Sequence, residues 1–299
     1  MGILDDKVVA VTGAGRGLGL EEALEASRQG AAVVLNEYDE EAGKQAVAQI
    51  EAAGGRAALV VGDVSTPEVA EGIVSTAVST FGGLDALVNN AGALRDRTLL
   101  KMTVDEWDTV VRIHLRGHFL TTSTAAKYWR DNERPGHLVH TTSTAGLLGN
   151  FGQVNYGAAK AGIAAFSTIA AFELAKYNIN SNAISPAART AMTQSAYGSV
   201  AGGGAGEFDF WSPANVAPLV TVLCSDLASH ISGKVFGVQG DAVEIYQPFT
   251  SVAAVENGKQ RWDPAVLATK LDALLAEGGI DAAIDNPMKR LRYSMTQRK

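Results

Sequence analysis

A chain of 299 residues has room for one large α/β domain or two small ones, and 46% hydrophobic against 19% charged residues suits a globular protein with a sizeable core. A net charge of −7 argues against general binding to nucleic acid or to an anionic membrane. The lone cysteine, Cys224, cannot form an internal disulfide, and with five dispersed histidines it offers no zinc constellation, so no metal site is expected. The acidic start MGILDDKVVAVTG is unlike a signal peptide, and no apolar run approaches the roughly 18 residues of a membrane span; a soluble, cytoplasmic protein is expected.

Val8–Thr12 is a β-branched run suited to a strand buried on both faces. It leads into Gly13-Ala14-Gly15-Arg16-Gly17-Leu18-Gly19, followed by a helical pattern to Gln29 and a stop at Gly30. Strand, glycine turn and helix form a dinucleotide-binding context: the glycines admit a pyrophosphate to the backbone, and the helix N-terminus turns roughly half a positive charge towards it. Gly13, Arg16, Gly17, Leu18 and Gly19 are therefore candidate cofactor contacts. A second strand, Ala32–Leu35, ends at Asn36-Glu37. Glu37 is placed to hydrogen-bond the adenosine ribose hydroxyls and to repel a 2′-phosphate, whereas Arg16 would welcome that phosphate. Glu37 sits where the ribose belongs, so NAD is favoured over NADP.

The alternation continues through a helix over Glu40–Ala53, a strand over Ala57–Val61 and the loop Asp63-Val64. Asp63 either accepts a hydrogen bond from the adenine amino group or caps the next helix, which opens at Thr66-Pro67 and runs to Phe81. Leu84–Val88 is a fourth strand, ending in Asn89-Asn90-Ala91-Gly92. Those small and amide residues suit a backbone packed against a flat dinucleotide, and asparagine can also brace neighbouring strands. Thr103-Val104-Asp105-Glu106 is a capping box that starts a helix of about 25 residues through Trp107, His114 and Tyr128. His137–Thr141, Ile179–Ile184 and Lys234–Val238 complete seven strands, with Ser212-Pro213 opening a helix to about Cys224. Repeated strand–helix units predict a doubly wound, Rossmann-like parallel sheet with helices on both faces and its ligand at the strands' carboxyl ends.

Ser143 to Lys160 carries the reactive groups. On a helix, Tyr156 and Lys160 share a face about 6 Å apart along the axis. A fixed ammonium beside a phenol favours the phenolate by roughly 1–3 pKa units, as a general base for an alcohol requires. Ser143 can lie across from the tyrosine and bond the same oxygen. Alone, the pair also reads as an ordinary amphipathic turn; the cofactor site decides between the two. Between Gln194 and Trp211 periodicity disappears, and the glycine-rich 201–206 stretch is either a substrate lid or a plain connection. Residues 241–299 form an extension with a helix from Asp263-Pro264 to about Leu275. Its end, Met288–Lys299, carries five basic residues and no acidic ones. That end meets CoA phosphates, meets an acidic patch on another subunit, or stays a solvated tail.

Thr12-Gly13-x-x-x-Gly17-x-Gly19, Asn89-Asn90-Ala91-Gly92, Ser143 and Tyr156-x-x-x-Lys160, in that order and spacing, resemble the short-chain dehydrogenase/reductase family over about residues 5–240. The resemblance implies one Rossmann-like domain and a nicotinamide cofactor. It implies a serine that orients substrate oxygen, a tyrosine that transfers the proton, and a lysine that also binds the nicotinamide ribose. It implies dimers or tetramers built on the two long helices. Asn90, Ala91, Gly92, Asp63, Val64 and Pro186 are carried over as cofactor contacts, together with Tyr156 and Lys160. His114-Leu115-Arg116-Gly117, Gly149–Tyr156 and Ala188–Gln194 resemble the (3R)-hydroxyacyl-CoA dehydrogenase part of peroxisomal multifunctional enzyme type 2. That implies an enzyme acting on a 3-hydroxyacyl-CoA or a hydroxysteroid-like secondary alcohol. The alternatives are an NADPH-dependent keto reductase and a dinucleotide-sensing protein without chemistry. Most of the family has asparagine where His114 stands, so His114 is either a member of the proton relay or a core histidine bonded to backbone. Ala187 replaces the glycine usual after Pro186, and the further domains of the peroxisomal enzymes have no place in a chain of this length.

Overall fold

The computed structural model describes residues 2–190, 208–247 and 249–283. The glycine-rich 201–206 stretch, Met192-Thr193-Gln194 and the basic end 288–299 lie outside the described residues.

Five strands are short and rich in valine, isoleucine or leucine: β1 (Val8–Thr12), β2 (Ala32–Glu37), β3 (Arg56–Val61), β4 (Ala86–Asn89) and β5 (Gly136–Thr141). β6 (Ile179–Ala187) and β7 (Val235–Gln239) come next, all in parallel register. The sheet order is β3-β2-β1-β4-β5-β6-β7-β8, so the winding reverses between β1 and β4, where a doubly wound sheet opens its ligand crevice. An eighth strand, β8 (Ala242–Tyr246), corrects the expectation of seven and extends the sheet beyond Gly240. It comes after β7 with only Gly240-Asp241 between them, too short a link for a parallel crossover, so it returns antiparallel. Gly240 takes φ +55°, which a tight turn needs. β8 escapes a reading by hydrophobic pattern because its apolar Val243 and Ile245 are exposed at the sheet edge.

Helices α1 (Gly17–Arg28), α2 (Glu40–Ala52) and α8 (Ala217–Leu223) cover one face. Their core runs through Val11, Leu35, Val88, Val139 and Ile184. The other face lies under α3 (Pro67–Phe81), α5 (Gly117–Asp131) and α7 (Val154–Leu174). There Val8, Ala10, Val34, Leu87 and Leu138 pack around Trp129, whose indole N–H donates to Leu84 O at 2.7 Å. The long helix expected after the capping box is interrupted. Thr103 and Glu106 do form the box that starts α4 (Val104–Val111), but Arg112–Arg116 then winds as a π turn before α5. A π turn inserts one residue and rotates the helix beyond it, and such turns gather at functional sites. His114 is on it.

α7 with the turn to Tyr177 is long and apolar enough to cross a membrane by length and composition, contrary to the expectation that no stretch comes near. It packs instead beside β5, β6 and α6 (Thr144–Leu147), with Lys160 buried on its inner side.

The chain divides into Met1–Ile245 and Tyr246–Lys299. In the second, α9 (Pro264–Glu277) begins at Asp263, whose carboxylate accepts from the N–H groups of Ala265 and Val266. Two orphan donors are thereby satisfied, with proline at the first helical position.

Candidate active site

At the carboxyl ends of β1 and β4 the glycines serve close approach. Gly13 has φ +64°, and a Cβ there would stand 2.8 Å from Ala91 Cα. A Cβ on Gly19 would meet Gly13 O at 2.3 Å and Asn90 Nδ2 at 2.6 Å. Gly17, φ +59°, opens α1, while Leu18 packs into the core behind it. Asn90 Nδ2 donates to Thr12 O (3.0 Å) and Gly13 O (3.2 Å), and Thr12 Oγ1 accepts from the N–H groups of Asn90 and Ala91. Asn90 therefore braces β4 against the glycine turn.

Glu37 closes β2 directly beside that turn. One carboxylate oxygen accepts from Gly15 N at 2.9 Å, and the other from Tyr38 N and Asp39 N. Arg16 points away and pairs with Asp39 at 3.0 Å on the surface. Asp63 accepts from Ser65 N (2.9 Å) and Ser65 Oγ (2.6 Å) and pairs with Arg112. Although partial burial opposes it, these hydrogen bonds hold its carboxyl below the usual range. Asp63 thus ties the loop after β3 to the π turn, while Val64 packs where Gly117 starts α5. Pro186 and Ala187 close β6, in register with Val238 and Gln239 of β7.

The candidate reactive groups meet where β5 ends. Lys160, 2% exposed, donates from Nζ to Thr141 O and lies 5.6 Å from the centroid of the Tyr156 ring. Thr142 Oγ1 donates to Lys160 O at 2.6 Å. Ser143 caps α6, accepting from Ala145 N at 3.2 Å, which leaves its O–H to donate. α6 rests on α7 at Lys160 so closely that a Cβ on Gly146 would stand 2.6 Å from Lys160 C. The serine, tyrosine and lysine therefore come from one β5–α6–α7 corner. Burial lowers the Lys160 ammonium to about 7, opposed by the field of Glu22.

His114 meets both descriptions that the sequence left open. Its Nε2 stands 2.8 Å from Ala93 O and 3.0 Å from Ala93 N, bonded to backbone as in a core histidine. Its ring also meets Tyr156 edge-on, centroids 5.3 Å apart. Burial, with the nearby lysine, lowers it to about 3, so it is neutral at working pH. Gly92 makes room for it: a Cβ there would lie 2.2 Å from His114 Cε1.

Reading the sequence misses Asn155. Fully buried, it donates from Nδ2 to Arg95 O (2.9 Å) and Glu106 O (3.1 Å), and its Oδ1 accepts from Tyr156 N. It staples the start of α7 to the loop after β4. The only signal in the sequence is a polar amide beside the tyrosine in the first turn of an apolar helix.

Residues 7–199 match the family model described as short chain dehydrogenase. The hydroxyacyl-CoA dehydrogenase ChsB1 of Mycobacterium tuberculosis is 43% identical, over 90% of this chain and 88% of that one. Peroxisomal multifunctional enzyme type 2 of Mus musculus is 37% identical over 77% of this chain, which spans 31% of that longer protein. A short chain dehydrogenase from Mycobacterium avium superposes with a TM-score of 0.84 at 40% identity, covering 92% of this chain and 97% of that one. The chain belongs to the short-chain dehydrogenase family, oxidoreductases that bind a nicotinamide dinucleotide.

Proposed function

We propose that this protein oxidises a secondary alcohol to a ketone with NAD, acting on a 3-hydroxyacyl-CoA or a hydroxysteroid-like alcohol. The observation that carries the reading is Tyr156 above the buried Lys160, at a corner that also supplies Ser143. The glycine turn and Glu37 fit a dinucleotide: side chains are excluded where the backbone must approach it, and a carboxylate stands at the end of β2. When bound, the nicotinamide supplies the hydride acceptor. Tyr156 as phenolate takes the hydroxyl proton, Lys160 as ammonium stabilises that phenolate, and the Ser143 O–H steadies the developing oxyanion. The CoA thioester is proposed by analogy with the hydroxyacyl-CoA relatives.

NAD is preferred over NADP because Glu37 sets a carboxylate where a 2′-phosphate would lie, and Arg16 is drawn off by Asp39. Glu37→Gln is expected to shift the ratio of kcat/KM for NAD over NADP by at least about tenfold, the scale of one charge-assisted hydrogen bond. An unchanged ratio removes Glu37 from the ribose site and restores the Arg16, NADPH-reductase reading. A homodimer or homotetramer is proposed through the outer faces of α5 and α7, where Phe119, Ile169 and Phe172 are exposed; a monomer in sedimentation velocity overturns it. A single buried free thiol, Cys224, suits the reducing cytoplasm proposed as its location.

The test is NADH formation with a (3R)-hydroxyacyl-CoA, its 3S epimer, a steroid-side-chain 3-hydroxyacyl-CoA and a 17β-hydroxysteroid. Turnover of one thioester epimer supports the acyl-CoA assignment. Turnover of free steroid alone removes it, and no turnover with NAD still bound removes the substrate class.

A further inference from the structure

α1 carries a carboxyl that the nucleotide cradle does not use. Glu22 is 1% exposed, and neither carboxylate oxygen has a hydrogen-bond partner among the described residues. An isolated carboxylate is too costly to bury, so a group in this position either stays protonated or answers to a buried charge. The same face of the sheet holds two more buried hydroxyls without a bonded partner among the described residues, Thr141 Oγ1 on β5 and Thr221 Oγ1 on α8, and α8 packs against both α1 and β5.

Thr141 connects this polar spot to the reactive corner. Its side chain alternates with that of Val139 onto the face under α1, and its carbonyl accepts from Lys160 Nζ. Lys160 reaches the strand end from α7 on the opposite face. No ion pair joins Glu22 to Lys160 among the described residues, yet each lies within the other's electrostatic field. The other titratable groups facing the pair are Tyr156 on α7, His114 on the π turn, His118 on α5 and Cys224 at the end of α8. Burial keeps both histidines uncharged and the thiol protonated around pH 8, so apart from Tyr156 none of these groups adds charge beside the pair.

We propose that Glu22 is a positioning residue for the reaction, the internal counter-group that lets Lys160 remain an ammonium behind Tyr156. The inference rests on the reading of Tyr156 and Lys160 as the proton-transfer pair. The two buried groups are coupled: around neutral pH they share one proton, which leaves both neutral when it sits on Glu22 and both charged when it sits on Lys160. Burial acts accordingly on each, raising the Glu22 carboxyl to about 8 while it lowers the lysine. With its folded value raised, Glu22 contributes most to stability below the unfolded carboxylate range, and that contribution is lost as pH rises through about 8.

A double-mutant cycle on thermal midpoint, run from pH 5 to 9 without substrate or cofactor, tests the pairing independently of turnover. Glu22→Gln is nearly isosteric with the protonated acid and is expected to fold. At pH 9 it raises the midpoint more in a Lys160→Met background, where Glu22 would be a lone buried carboxylate, than in the wild-type background. At pH 5 the two effects converge. Equal shifts in both backgrounds across the range overturn the pairing. With any alcohol that is turned over, the alkaline limb of kcat/KM for Glu22→Gln moves to lower pH by at least about one unit. A uniform loss of rate with an unmoved limb makes Glu22 merely structural.

Discussion

Tyr156→Phe is expected to lower kcat by at least about 10²-fold while NAD binds with its wild-type affinity. The substitution removes one oxygen and leaves the ring, so its edge contact with His114 and the helix start held by Asn155 persist. What disappears is the group proposed to take the alcohol's proton. Since that interaction develops in the transition state, kcat and kcat/KM fall together, with little change in KM. Steady-state kinetics with parallel calorimetric titration of NAD reads both quantities. Wild-type turnover would remove Tyr156 from proton transfer, whereas loss of NAD binding would mean that the phenol holds the cofactor.

Gly19→Ala is expected to act on binding and stability. The added methyl would meet Gly13 O at 2.3 Å and the Asn90 amide at 2.6 Å, and neither can yield cheaply. Gly13 is fixed by its own approach to Ala91, and Asn90 is bonded to β1 at Thr12 and to the turn at Gly13. Forcing the turn open costs about 1–3 kcal/mol of stability, the usual range for overpacking. The same displacement moves the N–H groups proposed to hold the pyrophosphate, so NAD affinity is expected to fall at least about tenfold. Chemical denaturation and NAD titration measure the two losses. A variant with both unchanged would show that the turn relaxes freely and that the cradle does not depend on this contact.

Local pattern carried most of the fold. β1 spans the residues that its β-branched run marks, and α3 runs from Pro67 to Phe81 between its proline and its glycine. The capping box at Thr103 starts α4 as its four residues require, because capping chemistry is satisfied within one turn. The break at Arg112–Arg116 was not legible: neither glycine nor proline interrupts those five residues, and the inserted residue shows only in the fold, where His114 packs against Gly92 and Ala93. β8 was hidden for a related reason, since an edge strand with exposed valine and isoleucine buries no face that would impose a pattern.

The candidate reactive groups were legible in the sequence alone, because Ser143, Tyr156, Lys160 and the glycine turn are chemical types at fixed spacing. Their supports were decided only by tertiary structure. Asn155 is one polar residue among many until its amide is seen to bridge Arg95 and Glu106. Glu22, on a surface-like helix pattern with Glu21 and Glu25, reads as a solvated charge until the fold buries it within the field of Lys160. Spacing along a chain encodes neighbours within a turn or a strand. Burial and the field of a distant charge arise only when α1, β5, α7 and α8 are packed together.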